Sequence, residues 1–156
     1  MDRWRGLEEC VKNGKVRHIG VSNYGPKHLD ELLKVATIRP SLNQIEVHPW
    51  CFRPALIKYC ADHNIPVEAY SPLGKATRLS DPRLLTMSEK TGKSPAQVVL
   101  RYLIQKGFVV LPKSVHVARL EENMRIFDFE LGREDVAALD AFDEGAVTGW
   151  DPTTMD

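Results

Sequence analysis

The chain has 156 residues, 43% hydrophobic and 27% charged, with 21 Lys and Arg balancing 21 Asp and Glu. Zero net charge excludes the basic footprint that nucleic-acid or anionic-membrane binding needs, and no apolar run nears the roughly 18 residues of a membrane span. The length suits one domain over residues 1–156 and excludes a closed (β/α)8 barrel, typically about 250 residues.

The first segment reads as a helix, with Trp4, Leu7 and Val11 on one face and Gly14 as its stop. Arg17 to Ser22 reads as a short strand with Ile19 and Val21 on one side. Pro26 opens a second helix carrying Leu29, Leu32, Leu33 and Ala36. The unit then repeats. A strand over 42–47 leads to a helix from Pro54 to a stop at Asn64, with Leu56, Ile57 and Cys60 on its apolar face. A third strand runs from Ile65 to Tyr70, and Lys75 to Ser80 reads as a polar surface loop.

Asp81-Pro82 predicts an N-cap with Pro at the first helical position, and Gly92 a stop. Ser94-Pro95-Ala96-Gln97 is a capping box; the helix it opens turns Val98, Val99, Tyr102 and Leu103 inward and ends at Gly107. Phe108 to Leu111 is apolar throughout, the pattern of a strand covered on both faces. A short helix through Arg119 and Asn123 follows, then a last helix from near Arg133 with Val136, Leu139 and Phe142, and an irregular tail from Gly145. One helix followed by four βα units predicts an α/β fold with a parallel sheet and right-handed crossovers. The rhythm fits an open doubly wound sheet or four units of a barrel equally well.

Ligands of parallel α/β proteins bind at the C-terminal ends of the strands. The strand exits read here are Ser22-Asn23, Asn43-Gln44 with His48, Tyr70-Ser71 and Lys113-Ser114. Amides and hydroxyls donate and accept, a tyrosine ring stacks on a planar heterocycle, and Lys beside Ser at a helix start suits a phosphate. Arg119, Glu122 and Asn123 share a helix face at i, i+3, i+4. Singly, each is more often a turn or solvated-face residue; the joint occurrence at four successive exits carries the reading.

Five ordered segments, 14–23, 43–49, 69–74, 111–115 and 118–123 with Phe127, resemble the C-terminal half of an aldo-keto reductase. The resemblance implies four βα units of a (β/α)8 TIM barrel, preceded by one helix, and NADP(H) as cofactor for the reduction of small-molecule aldehydes and ketones. Carried over by position, it implies that Ser22, Asn23 and Gln44 hold the nicotinamide carboxamide and that Tyr70 stacks on the nicotinamide. Ser71 and Leu73 would line the pyrophosphate. Lys113, Ser114 and Arg119 would grip the adenosine 2′-phosphate, and Glu122 and Asn123 would read the adenine. Lys75-Ala76-Thr77 and His116 depart from the residues usual at their positions.

The family's proton donor, a tyrosine supported by lysine, aspartate and histidine, belongs to the barrel's N-terminal half. Tyr24, Tyr59, Tyr70 and Tyr102 do not sit in that context. The expectation is a cofactor cradle without catalytic residues, lacking turnover alone. The alternative is a non-catalytic module that forms a homodimer, or pairs with a missing N-terminal half, through open barrel edges. His48, Cys51, Cys60 and His63 make an H-x2-C…C-x2-H pattern, read as packing rather than a zinc site. No nucleophile elbow or G-x-G-x-x-G occurs, and Trp50 and Trp150 are candidate borders of a substrate pocket. Three sparse cysteines, and a first segment without the apolar stretch of a signal peptide, predict a reducing, cytoplasmic setting.

Overall fold

The computed structural model describes residues 2–155. In chain order the helices and strands are α1 (Asp2–Lys12), β1 (Val21–Ser22), α2 (Pro26–Leu33), β2 (Asn43–Glu46), α3 (Pro54–Asp62), β3 (Val67–Tyr70), α4 (Pro82–Thr91), α5 (Pro95–Gln105), β4 (Val109–Leu111), α6 (Val117–Met124) and α7 (Arg133–Asp140). Short 3-10 turns lie at Gly74–Ala76 and Pro152–Thr154. The strands form one parallel sheet in the order β1-β2-β3-β4, as the βα rhythm predicts. The chain divides into two compact units. One comprises Met1–Ile45, Pro54–Glu68 and Asp151–Asp156; the other comprises Glu46–Arg53 and Ala69–Trp150.

In the first unit, Ile19, Leu29, Leu32, Ile45, Leu56, Cys60 and Ile65 are buried. The face of α1 differs from the one its spacing predicts. Trp4 and Glu8 are buried, whereas Leu7 is 40% exposed. Glu8 goes inward because it has work to do there: its Oε1 accepts from the main-chain N–H groups of Thr37 (2.7 Å) and Ile38 (2.9 Å). The Ile38 N–H leads in holding its carboxyl below the usual range. Trp4 Nε1 donates to Ile38 O (3.2 Å), so one helix face fastens the segment after α2. Helix α2 stops at Leu33, and Ala36 lies past the turn that follows it. Gly14 and Asn64 end their helices with φ of 68° and 55°, the left-handed region glycine and asparagine enter most readily.

In the second unit the caps read from sequence form as expected. Asp81 accepts from Arg83 N–H (3.0 Å), Gly92 closes α4 with φ of 65°, and Ser94 and Gln97 bond reciprocally. Helix α5 is buried along Val98, Val99, Leu100, Tyr102 and Leu103. Strand β4 departs from expectation. Val109 is 52% exposed and Leu111 41%, so an unbroken apolar run here marks a strand open on one face rather than covered on both. The exposure continues along α6, where Val117, Leu120 and Met124 form an uncovered stripe beside Val115 and Phe127. The loop expected over 75–80 begins as a 3-10 turn. Phe142, placed in the last helix by its spacing, lies beyond α7 but is buried all the same.

Candidate functional site

The predicted site residues fall into one cluster in each unit. In the first, β1 is two residues long, so Ser22 ends it and Asn23 turns the chain with φ of 60°. The parallel register pairs Ser22 with Gln44. Gln44 is the second residue of β2 rather than at its exit, yet it stands level with the end of β1. Ser22 Oγ donates to Gln44 O (3.0 Å), and Gln44 Nε2 donates to Glu68 Oε2 (2.6 Å). A shallow hollow of about 340 Å³ includes Ser22 and Gln44 but not Asn23.

Glu68 was not among the expected residues. The signal was its alternation with Tyr70 on β3, which puts both on one face. Asn43 has a different role from the one its neighbour suggests. It is fully buried, accepts from Tyr24 N–H (3.3 Å) and donates to Tyr24 O (2.8 Å), clamping the turn after β1.

In the second unit, a groove of about 630 Å³ brings together Ser71, Leu73, Lys113, Ser114, Arg119, Glu122 and Asn123. Tyr70, half-buried at the end of β3, does not line it. The chain leaves β4 through Pro112, and Ser114 Oγ both accepts from His116 N–H (3.1 Å) and donates to His116 O (3.3 Å). That turn sets His116 as the N-cap of α6. The N-terminal end of α6, Lys113 and Arg119 all border the groove, a suitable arrangement for an anion.

Glu122 has a second duty that the i, i+3, i+4 pattern does not reveal. Its Oε1 accepts a short bond from Ser94 Oγ, while Gln97 Nε2 donates to Glu122 O (3.2 Å) and Arg125 O (2.8 Å). The adenine-reading candidate is thus oriented by the cap of α5.

The groove's other wall is the 71–76 loop, where Ser71, Gly74, Lys75 and Ala76 all have φ between 47° and 62°. For non-glycine residues this conformation costs on the order of 1 kcal/mol each, and such strain concentrates where a loop must hold a defined shape. Lys75 Nζ donates to Thr148 O (2.7 Å).

The His/Cys pattern is spent on packing contacts. His48 and Cys51 bridge through their main chains, Asn43 Nδ2 approaches Cys60 Sγ (3.8 Å), and His63 Nδ1 bonds Tyr59 O (2.8 Å). Among the described residues no group of three His, Cys, Asp or Glu side chains is placed to hold a metal. Trp50 is fully buried, packed near Phe142, and Trp150 is 67% exposed. Among the described residues no helix is long and apolar enough to cross a membrane.

Comparison with known proteins decides the family: the aldo/keto reductase family matches over residues 1–144. The chain belongs to that family. It is 46% identical over 154 residues to the glyoxal reductase of Bacillus subtilis, covering 99% of this chain and 56% of that protein. It is 42% identical to an uncharacterised oxidoreductase of Schizosaccharomyces pombe, with 97% and 56% covered.

Among solved structures, a Bombyx mori aldo-keto reductase in complex with NADP aligns with a TM-score of 0.87 and 36% identity, covering 93% of this chain and 50% of that one. An aldo-keto reductase from a Medee basin deep-sea metagenome library aligns with a TM-score of 0.93 and 34% identity, covering 98% and 58%. The chain spans about half the length of the curated relatives it matches. Its four βα units correspond to the C-terminal half of the family's TIM barrel.

Proposed function

We propose that this chain is the cofactor-binding half of an NADP(H)-dependent aldo-keto reductase that reduces aldehydes or ketones to alcohols, without the catalytic set. The observation that carries the reading is the second-unit groove, where Lys113, Ser114 and Arg119 gather at the N-terminus of α6 with Glu122 and Asn123 alongside. In this reading the cationic end takes the adenosine 2′-phosphate, and Glu122 and Asn123 bond the adenine. Ser71 and Leu73 flank the pyrophosphate. Ser22, Asn23 and Gln44 bond the nicotinamide carboxamide, and Tyr70 stacks on the ring. Bound, the cofactor supplies the hydride.

Reduction also needs an acid at the developing alkoxide. Two tyrosines are poorly suited to give a proton. Tyr102 is buried and donates to Asp140 Oδ1 (2.6 Å); burial foremost, then that bond, pushes its hydroxyl far up. Tyr59, pushed up to about 12 by burial and by Asp30, donates to Asp30. The test is steady-state turnover with NADPH and a generic aldehyde. The expected outcome is a change in NADPH fluorescence on binding without NADPH consumption. Consumption abolished by Tyr24→Phe or Tyr59→Phe would overturn it.

A second reading has its own observation. The exposed apolar run of Val109 and Leu111 on β4 with Val117, Leu120, Met124 and Phe127 fits an assembly module that dimerises or docks on a barrel half. Light scattering separates the two: a clean monomer across the concentration range contradicts the module.

A further inference from the structure

A second cavity of about 240 Å³ lies in the second unit, lined by His48, Gly74, Lys75, Thr77, Arg78 and the 146–148 segment. It shares only Lys75 with the groove. His48 is 1% exposed, and its Nδ1 is a buried polar atom with no hydrogen-bond partner. Such an atom costs stability unless something occupies the space beside it.

The chemistry of that atom follows from the other side of the ring. Glu46 Oε1 accepts from Thr148 N–H (2.9 Å) and faces His48 Nε2 at 3.2 Å. Nε2 therefore carries the proton and donates to the carboxyl. Burial lowers the imidazole's affinity for a second proton, against the pull of Glu46. His48 is neutral at pH 7, and Nδ1 presents a lone pair that only a donor can satisfy.

The rest of the lining offers the opposite. Lys75 Nζ uses one of its three donors on Thr148 O (2.7 Å). Arg78 Nη1 bonds Glu144 (2.8 Å), and its guanidinium has further N–H groups. Both cations keep capacity for an anionic oxygen. Thr77 Oγ1 donates to Gly74 O (2.9 Å) and keeps its lone pairs for a ligand donor. Gly74 leaves space over the face of the buried imidazole. A Cβ there would lie 3.7 to 3.8 Å from His48 Cε1, Cγ and Nδ1, filling the space over the ring, and φ of 54° disfavours any side chain.

We propose that this cavity binds a small hydroxylated oxyanion, whose hydroxyl donates to His48 Nδ1 and whose anionic oxygens take the spare donors of Lys75 and Arg78. The volume admits a molecule of a few heavy atoms, such as a hydroxycarboxylate or a polyol monophosphate, and excludes a nucleotide.

The test uses the full chain carrying K113A and R119A, so that the groove's cations do not compete. Glycerol 3-phosphate, inorganic phosphate and glycerol are titrated separately. Binding is followed by calorimetry and by the ¹⁵N resonance of His48 Nδ1. The proposal expects glycerol 3-phosphate to move the Nδ1 resonance toward that of a hydrogen-bonded acceptor, and to bind at least about tenfold more tightly than phosphate or glycerol.

Arg78→Ala, whose guanidinium is partly solvated, should weaken glycerol 3-phosphate by about tenfold. His48→Phe, which keeps the ring and removes the lone pair, should abolish the advantage over phosphate. If His48→Phe unfolds, the Nδ1 resonance and Arg78→Ala decide alone. An Nδ1 resonance unmoved by all three solutes would mean that the cavity holds only solvent, and would overturn the proposal. Equal affinity for phosphate and glycerol 3-phosphate would do the same.

Discussion

At the scale of single residues, the selectivity proposed for the groove rests on Lys113 and Arg119, both of which line it. Charge-assisted bonds to phosphate contribute about 1.5–3 kcal/mol each. Lys113→Ala or Arg119→Ala should therefore weaken 2′,5′-ADP binding by one to two orders of magnitude and leave 5′-ADP nearly unchanged, as calorimetry would show. Gly25 is required for a different reason. Its φ is ordinary, but a Cβ there would lie 2.0 Å from Thr153 O. Gly25→Ala should displace the 151–155 segment and break the Met155 O to His28 Nε2 contact. Hydrogen exchange at Thr153 and Met155 would rise several-fold, and exchange as slow as in the parent chain would refute the contact.

Asp81 gives a prediction in pH. The hydrogen bond from Arg83 leads in holding its carboxyl down to about 2, against an ordinary 3.8. A depressed folded pKa gives stabilisation that is complete above about pH 4 and lost as pH falls toward 2. Asp81→Asn keeps a capping oxygen but not the charge, so its melting temperature should lie below the parent's at pH 6 and converge with it near pH 2. A gap that stays constant with pH would contradict this account of the ion pair.

At the scale of elements, the N-terminus of α5 and the C-terminus of α6 act as one joint. Gln97 caps its own helix through Ser94 and also satisfies Glu122 O and Arg125 O. Gln97→Leu would leave these carbonyls without that donor, at a cost of about 1–3 kcal/mol. Denaturant unfolding should register that loss, with a matching loss of adenine-nucleotide affinity as Glu122 drifts. Unchanged stability would show the joint to be incidental.

The capping box itself was readable from Ser94-Pro95-Ala96-Gln97, because a cap is a local contract among four residues. Its tie to Glu122 lies 28 residues away and leaves no local trace. The same distinction explains α1. Spacing found the helix and its stop at Gly14, but a buried glutamate bonding Thr37 and Ile38 is invisible to a hydrophobic pattern. Strand β4 failed for the opposite reason: its apolar run was real, and only the tertiary environment decides whether both faces are covered.

At the scale of the whole molecule, the alternation of helices and strands made the α/β class legible but left open sheet and barrel equally compatible. Ordered motifs, rather than periodicity, pointed to the barrel half. The candidate site was legible where chemistry clusters at strand ends, as at Lys113, Ser114 and Arg119. Gln44 and His48 are themselves readable as strand-exit residues; what leaves no local trace is the register that sets Gln44 beside Ser22 and the cavity around His48, whose lining is scattered along the chain. The proposed function requires this half-barrel chain to hold an NADP(H)-selective cradle. The most direct measurement is calorimetric titration of the chain, and of its K113A/R119A variant, with NADPH and with NADH. NADPH should bind the parent chain at least about tenfold more tightly than NADH, with no preference in the variant; equal affinities in the parent chain, or a preference that survives in the variant, would contradict an NADP(H)-selective cradle.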